Sequence, residues 1–144
     1  MNLEELFNAW EQDSDFDELN LMSEVANIGR LYTKYYRLYS IEKLLQNEYE
    51  IKYKTLTKEK TEMFLYGASV EQKKQGWEIP QNKILKTDIP MYINADTQLN
   101  DLTTKLSVQT IKVNFLKDVL KQIEQRQFQI KTYMDALKLK LGNV

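Results

Sequence analysis

Apolar residues recur along the chain at alternating steps of three and four. From Leu99 this spacing meets Leu99, Leu102, Leu106, Gln109, Val113, Leu116, Leu120, Ile123, Gln127, Ile130, Met134, Leu137 and Leu141, and eleven of the thirteen are apolar. A stripe sustained over more than five heptads predicts a long helix of coiled-coil type. Asn94 or Asp96 can cap its start, and Gly142 closes it. At 1.5 Å per residue such a helix is about 65 Å long. Gln109 and Gln127 interrupt the seam. They either fix register as buried polar residues or sit where the seam is wet.

The same spacing from Ile28 gives Ile28, Leu31, Tyr35, Leu38, Glu42, Leu45, Tyr49, Lys52 and Leu56, of which seven of nine are apolar or aromatic. This predicts a first long helix from about Asn27 to Tyr66, imperfect in its second half and ended by Gly67. Before it, Leu3, Leu6, Phe7 and Trp10 mark a short amphipathic helix over 3–10. The run Asp13-Ser14-Asp15-Phe16-Asp17 breaks that helix. A second short segment places Leu19, Met22 and Val25 on one face. Both prolines and half the glycines fall within 67–92 (Gly67, Gly76, Pro80, Pro90). That window reads as a loop with a helical piece at 69–75 and an extended stretch into Pro90.

These elements predict an all-α protein. Two long helices form a hairpin-like arrangement, with short helices N-terminal to them. Residues 1–27 form an acidic arm and 28–144 the helical body. A two-helix hairpin leaves apolar surface uncovered, and Ile111, Phe115 and Phe128 lie off the main seam. Further copies of the chain would cover that face, so a homo-oligomer is expected.

Composition narrows the chemistry. The 144 residues suit one domain. There are no Cys and no His, which removes thiolate nucleophiles, His-based proton relays and Cys/His zinc sites. No phosphate-binding glycine loop is present. Neighbouring carboxylates such as Asp13 with Asp15, or Glu48 with Glu50, read as solvated. No enzyme activity, metal or cofactor is expected. The N-terminus lacks a positive signal region and no apolar run could span a bilayer. A soluble, intracellular protein is the expectation.

A net charge of −1 conceals an asymmetry. Residues 1–29 carry eight acids and no Lys or Arg, whereas the remainder carries 20 basic and 13 acidic side chains. A basic body points to a polyanion or to self-association. The first long helix interleaves cations and rings through Arg30, Tyr32, Lys34, Tyr35, Tyr36, Arg37, Tyr39 and Lys43. The run Lys52 to Lys60 holds four Lys (Lys52, Lys54, Lys58, Lys60) against one Glu, and Phe64 and Tyr66 follow. Cations that release counterions, beside aromatic faces that stack on bases, suit single-stranded nucleic acid. Tyr at helical spacing also reads as core with a wet hydroxyl.

Several short runs together resemble the UvsY family of phage recombination mediators. They are Trp10-x-x-Asp13-x-x-Phe16-Asp17, Leu31-Tyr32-x-Lys34-Tyr35, Lys58-x-Lys60, an aromatic pair before Gly67, and Gly76-Trp77. Lys86-Thr87-Asp88-Ile89-Pro90, Ala95-Asp96 with Leu99, and Arg126-x-Phe128-x-Ile130-Lys131 complete the series. Order and spacing carry the resemblance over nearly the whole length. It implies a helical, non-catalytic protein that forms ring-like homo-oligomers (hexamer or heptamer) and binds single-stranded DNA. It further implies help in loading a phage RecA-like recombinase onto DNA covered by the phage single-strand-binding protein, in the cytoplasm of the infected bacterial host.

The family's basic pair corresponds here to Lys58 and Lys60. The chain departs from the family pattern in having Phe64-Leu65-Tyr66 directly before Gly67, one residue further from the basic pair. One residue turns a helix position by about 100°, which draws Lys52 and Lys54 into the same role. Lys34, Arg37, Phe64 and Tyr66 complete the expected DNA-contacting set. The acidic arm is expected to contact a partner protein or to guard the basic surface. The rival reading is an oligomeric helical scaffold or chaperone-like coiled coil without DNA activity. A membrane-surface helix fits less well, because the lysines alternate with acids.

Overall fold

The helix boundaries follow from local chemistry. In the computed structural model, which describes residues 1–77 and 84–142, the elements are α1 (Leu3–Asp13), α2 (Leu21–Tyr66), α3 (Val70–Lys74), a 3-10 turn (Lys86–Asp88), α4 (Ile89–Ala95) and α5 (Thr97–Lys140). Among the described residues there is no strand, and the chain is all-α as expected. Asn2 Oδ1 caps α1 by accepting the Glu5 N–H at 2.8 Å. Asp96 Oδ1 caps α5 by accepting the Leu99 N–H at 2.9 Å. Ser69 and Gln72 form a reciprocal capping box that starts α3. Gly67 ends α2 at φ 96°, a left-handed conformation that suits glycine, and its N–H returns to Met63 O at 2.8 Å.

Three expectations change. The two segments expected on either side of residue 27 are one helix, because α2 begins at Leu21 and runs through Gly29, around which there is open space. Met22 in its first turn is 86% exposed, and Leu19 just before it is 98% exposed. The stretch into Pro90 is helical, not extended. Ile89 lies at φ −56°, ψ −43°, and Pro90 occupies the first turn of α4, where its missing N–H costs nothing. Burial of the Ile89 side chain offsets the steric preference against helix before proline. Residues 78–83 of the expected 67–92 connection, Pro80 among them, lie outside the described residues.

The chain divides into two compact units, Met1–Leu44 with Gln109–Val144, and Leu45–Val108. In the first, the two seams meet. Leu31 and Tyr35 of α2 share a core with Leu116, Val119, Leu120 and Ile123 of α5, and Leu6 of α1 completes it. Each such aliphatic side chain, fully buried, contributes about 1.5–3 kcal/mol. Edge-on ring contacts fasten α1, with Trp10 on Tyr35 at 5.3 Å and Phe7 on Phe115 at 4.8 Å. Glu42 lies opposite Gln109 and Glu24 opposite Arg126, so the two long helices run antiparallel within this unit. The acidic N-terminal segment falls within this unit.

The seam interruptions are resolved unequally. Gln109 is buried, and its Nε2 donates to Glu42 O at 2.7 Å and to Glu42 Oε2 at 2.6 Å. A buried carboxylate thus meets a buried amide, with the Lys112 ammonium at 3.5 Å. Gln127 is exposed, and the seam passes through buried Arg126 instead. Beyond Ile130 the seam positions Met134, Leu137 and Leu141 are exposed.

In the second unit the α2 seam shifts by one residue. Tyr53 rather than Lys52 faces inward, followed by Leu56, Lys60 and Met63. Two consecutive steps of four (Leu45 to Tyr49 to Tyr53) make the shift, which explains the imperfect second half of the pattern. Among the described residues, Met63, Trp77, Ile89 and Leu99 are the buried apolar side chains here. No helix among the described residues is long and apolar enough to cross a membrane.

Candidate nucleic-acid interface

The Lys52–Lys60 run lies on α2 within the second unit, and the helix separates its lysines by direction. Lys54 and Lys58, at i and i+4, are exposed on one face about 6 Å apart along the axis. Neither makes an ion pair to a described residue, although Glu50 and Glu62 stand one turn away on either side. Nearby Thr57 and Thr61 turn their hydroxyls back onto carbonyl oxygens of their own helix at 2.7 Å. Lys52 is exposed but paired with Glu48 at 3.3 Å, and it lies over the Tyr49 ring.

Lys60 points the other way. It is 5% exposed, its ammonium lies 3.2 Å from Asp96 Oδ2, and it sits 3.9 Å from the centroid of the Trp77 ring. Several local features produce this arrangement. The seam shift turns position 60 inward. Gly76, at φ 87°, reverses the chain after α3 so that the Trp77 N–H returns to Gln72 O at 3.0 Å and the indole covers Lys60. Asp96 serves twice, capping α5 with one oxygen and holding Lys60 with the other. The basic pair of the sequence is therefore one free cation and one committed to the fold. The aromatic residues divide likewise. Tyr66 is 83% exposed at the end of α2, whereas Phe64 is half-buried against Tyr92 at 5.6 Å.

Lys34 and Arg37 lie in the first unit. Lys34 is paired with Asp13 at 2.6 Å. Arg37 is exposed and makes no ion pair to a described residue. The Tyr35 hydroxyl also donates to Asp13, at 2.7 Å. Partial burial pushes the Asp13 carboxyl up, but hydrogen bonds from Lys34 and Tyr35 and the charges of Lys34 and Arg30 outweigh it and hold the carboxyl below its usual range. Burial, then the bond to Asp13 and its charge, push the Tyr35 hydroxyl up.

Arg126 was not among the expected functional residues, yet it organises the acidic segment. Its guanidinium donates to the carbonyl oxygens of Asp13, Ser14 and Asp15, the last at 2.8 Å, and to Glu24 Oε2 at 3.3 Å. The Phe16 ring lies 5.7 Å away. A cation at the carbonyl end of α1 also complements that helix's dipole. The available sequence signal was an arginine one step off an otherwise apolar seam. Lys73 and Lys74, exposed in the last turn of α3, are further cations the sequence reading did not single out. Among the described residues no group of three or more acidic side chains could hold a metal ion.

The fold defines an all-α protein with exposed cations on the first of its two long helices, α2. The chain belongs to the UvsY family, described as recombination, repair and single-stranded-DNA-binding proteins, whose model matches residues 9–143. Crystal structures of the bacteriophage T4 recombination mediator protein UvsY are similar to it. One superposes with a TM-score of 0.80 at 25% identity, covering 98% of each chain. A second crystal form gives 0.82 at 23% identity over 96% of this chain and 99% of that one. No curated protein sequence matches the chain directly.

Proposed function

We propose that this protein is a recombination mediator. It binds single-stranded DNA without sequence preference and helps load a phage RecA-like recombinase onto DNA covered by the phage single-strand-binding protein, in the cytoplasm of the infected bacterium. One observation carries the reading. Lys54 and Lys58 form an outward row on α2 and make no ion pair with a described residue, although Glu50 and Glu62 lie one turn away, in a chain of a single-stranded-DNA-binding family. Lys52 and the exposed Tyr66 ring flank the row, supplying a further cation and a stacking face. Lys60 and Phe64 support it from below and do not touch DNA.

A single subunit offers few phosphate contacts. Copies joined in a ring, a hexamer or heptamer, would make later contacts effectively intramolecular and so bind far more tightly. The uncovered end of α5, with Phe128, Met134, Leu137 and Leu141 exposed, is the surface for that assembly. It borders a groove of about 630 Å³ that also includes Val25 and Ile130. Recombinase filament growth on DNA pre-covered with single-strand-binding protein, followed with and without the chain, tests the function. Faster nucleation is expected, and it is lost in Lys54→Ala/Lys58→Ala. A chain that binds no single strand and leaves nucleation unchanged refutes the reading and leaves an oligomeric scaffold.

A further inference from the structure

A groove in the first unit carries a second concentration of positive charge. Arg30, Lys34 and Arg37 follow at i, i+4 and i+7 on one face of α2, and with Met1, Thr33 and Leu38 they line a groove of about 360 Å³. That volume lies at the low end of the range of small-ligand sites. The lining is mostly apolar, contributed by the stems of the cationic residues, Met1 and Leu38. Thr33 does not compete for a ligand, because its hydroxyl donates to Gly29 O at 3.0 Å. Lys34 is neutralised by Asp13 at 2.6 Å. The two guanidinium groups are exposed and form no ion pair with a described residue, although the Arg30 charge also acts on the Asp13 carboxylate.

An apolar groove lined by two exposed arginines has a specific complement. Guanidinium donates in a planar fork to phosphate oxygens and stacks on flat aromatic rings. A flat, apolar-faced ring joined to an anion satisfies both features. We propose that this groove holds one nucleotide of a single DNA strand, with the base against the aliphatic walls and the flanking phosphates on Arg30 and Arg37. A duplex keeps its bases stacked and leaves the slot empty. An acidic peptide would satisfy the cations but not the slot. The inference rests on the single-strand-binding reading above and adds a site in a different unit from Lys54 and Lys58.

The test is fluorescence anisotropy of a labelled oligothymidylate with the full chain at 50 and 200 mM salt. Arg30→Ala/Arg37→Ala removes two exposed side chains and inserts a good helix former, so the fold is retained; a thermal melt checks this. Loss of two phosphate contacts lowers the slope of log affinity against log salt by about 1.4 and weakens binding at 50 mM salt by about tenfold or more. An oligonucleotide with abasic positions binds wild type more weakly than the intact strand, and that difference vanishes in the double variant. Arg30→Lys/Arg37→Lys keeps both charges and the aliphatic stems, so it keeps the salt slope and the base preference. If Lys54→Ala/Lys58→Ala weakens binding while Arg30→Ala/Arg37→Ala changes neither affinity nor slope, the groove is not a nucleotide site and the mediator reading stands. Loss of polyglutamate binding with DNA affinity unchanged assigns the groove to an acidic protein segment and overturns the inference. Absence of single-strand binding by wild type removes the functional reading and this inference together.

Discussion

Replacing Lys60 by methionine separates a lysine of the fold from a lysine on DNA. The ammonium is 3.2 Å from Asp96 Oδ2, with the two side chains 6% and 11% exposed. Met matches the stem in length and keeps its apolar packing, so the variant removes mainly the charge. Breaking a buried pair by deleting one partner costs about 3–5 kcal/mol, because the remaining charge stays buried and uncompensated. Asp96 retains the Leu99 N–H as a donor, and a cavity of about 220 Å³ beside it can admit water, which favours the lower end of that range. The lost contact with the Trp77 face, at 3.9 Å, adds roughly 1–2 kcal/mol. The expected loss is about 4 kcal/mol, a large fraction of the ~5–15 kcal/mol available to a domain. Urea unfolding followed by Trp fluorescence reads it directly. Lys60→Met/Asp96→Asn should recover part of the loss, because no lone carboxylate remains. Lys58→Ala should stay within about 0.5 kcal/mol of wild type. If Lys60→Met unfolds like wild type but binds DNA more weakly, the ammonium contacts DNA and the buried assignment is wrong.

Other interactions give separate expectations. Arg126→Ala removes donors to three carbonyl oxygens and to Glu24, so stability should fall by about 3 kcal/mol and limited proteolysis should cut first within 14–20; unchanged protection there would contradict the clamp. Gln109→Leu strips Glu42 of its closest side-chain donor and should destabilise by about 2 kcal/mol in a denaturant titration, whereas Gln109→Glu should be worse. For Asp13, whose carboxyl is held below its ordinary value of 3.8, the sign is fixed by linkage. A depressed folded-state pKa contributes stability at pH above 3.8 that is lost as the pH falls through the lower, folded value. Asp13→Asn should therefore be less stable than wild type at pH 7, by about 1 kcal/mol, with the gap closing in acid. A gap independent of pH would show that the ion pair with Lys34 contributes nothing.

The sequence made the helices legible because their signals are local. The cap at Asp96, the glycine after Tyr66 and a 3–4 spacing of apolar residues each act within a few residues. It made the orientation of the lysines much less legible. A single extra step of four in the α2 seam reverses which of Lys52 and Lys60 faces inward, and no local feature of the run announces it. The residues that carry the family resemblance become intelligible once folded. Trp10, Asp13, Lys34 and Tyr35 meet at one place, Phe16 and Arg126 at another, and Lys60, Trp77 and Asp96 at a third. Their spacing in sequence reflects tertiary pairing across separations that periodicity does not see. The surroundings of the acidic start were hidden for a related reason. Its charges looked unopposed along the sequence, whereas Lys34 and Arg126 reach them from distant positions.

Equilibrium binding of a labelled single strand, with unlabelled duplex as competitor, tests the central claim most directly when wild type is compared with Lys54→Ala/Lys58→Ala at 50 and 200 mM salt. The account predicts a preference for the single strand and a steep loss of affinity with salt. It also predicts a double variant that remains folded, binds about tenfold more weakly at 50 mM and has a salt slope lower by about 1.4. A folded double variant with wild-type affinity and slope, or a wild-type chain that prefers duplex, would contradict it.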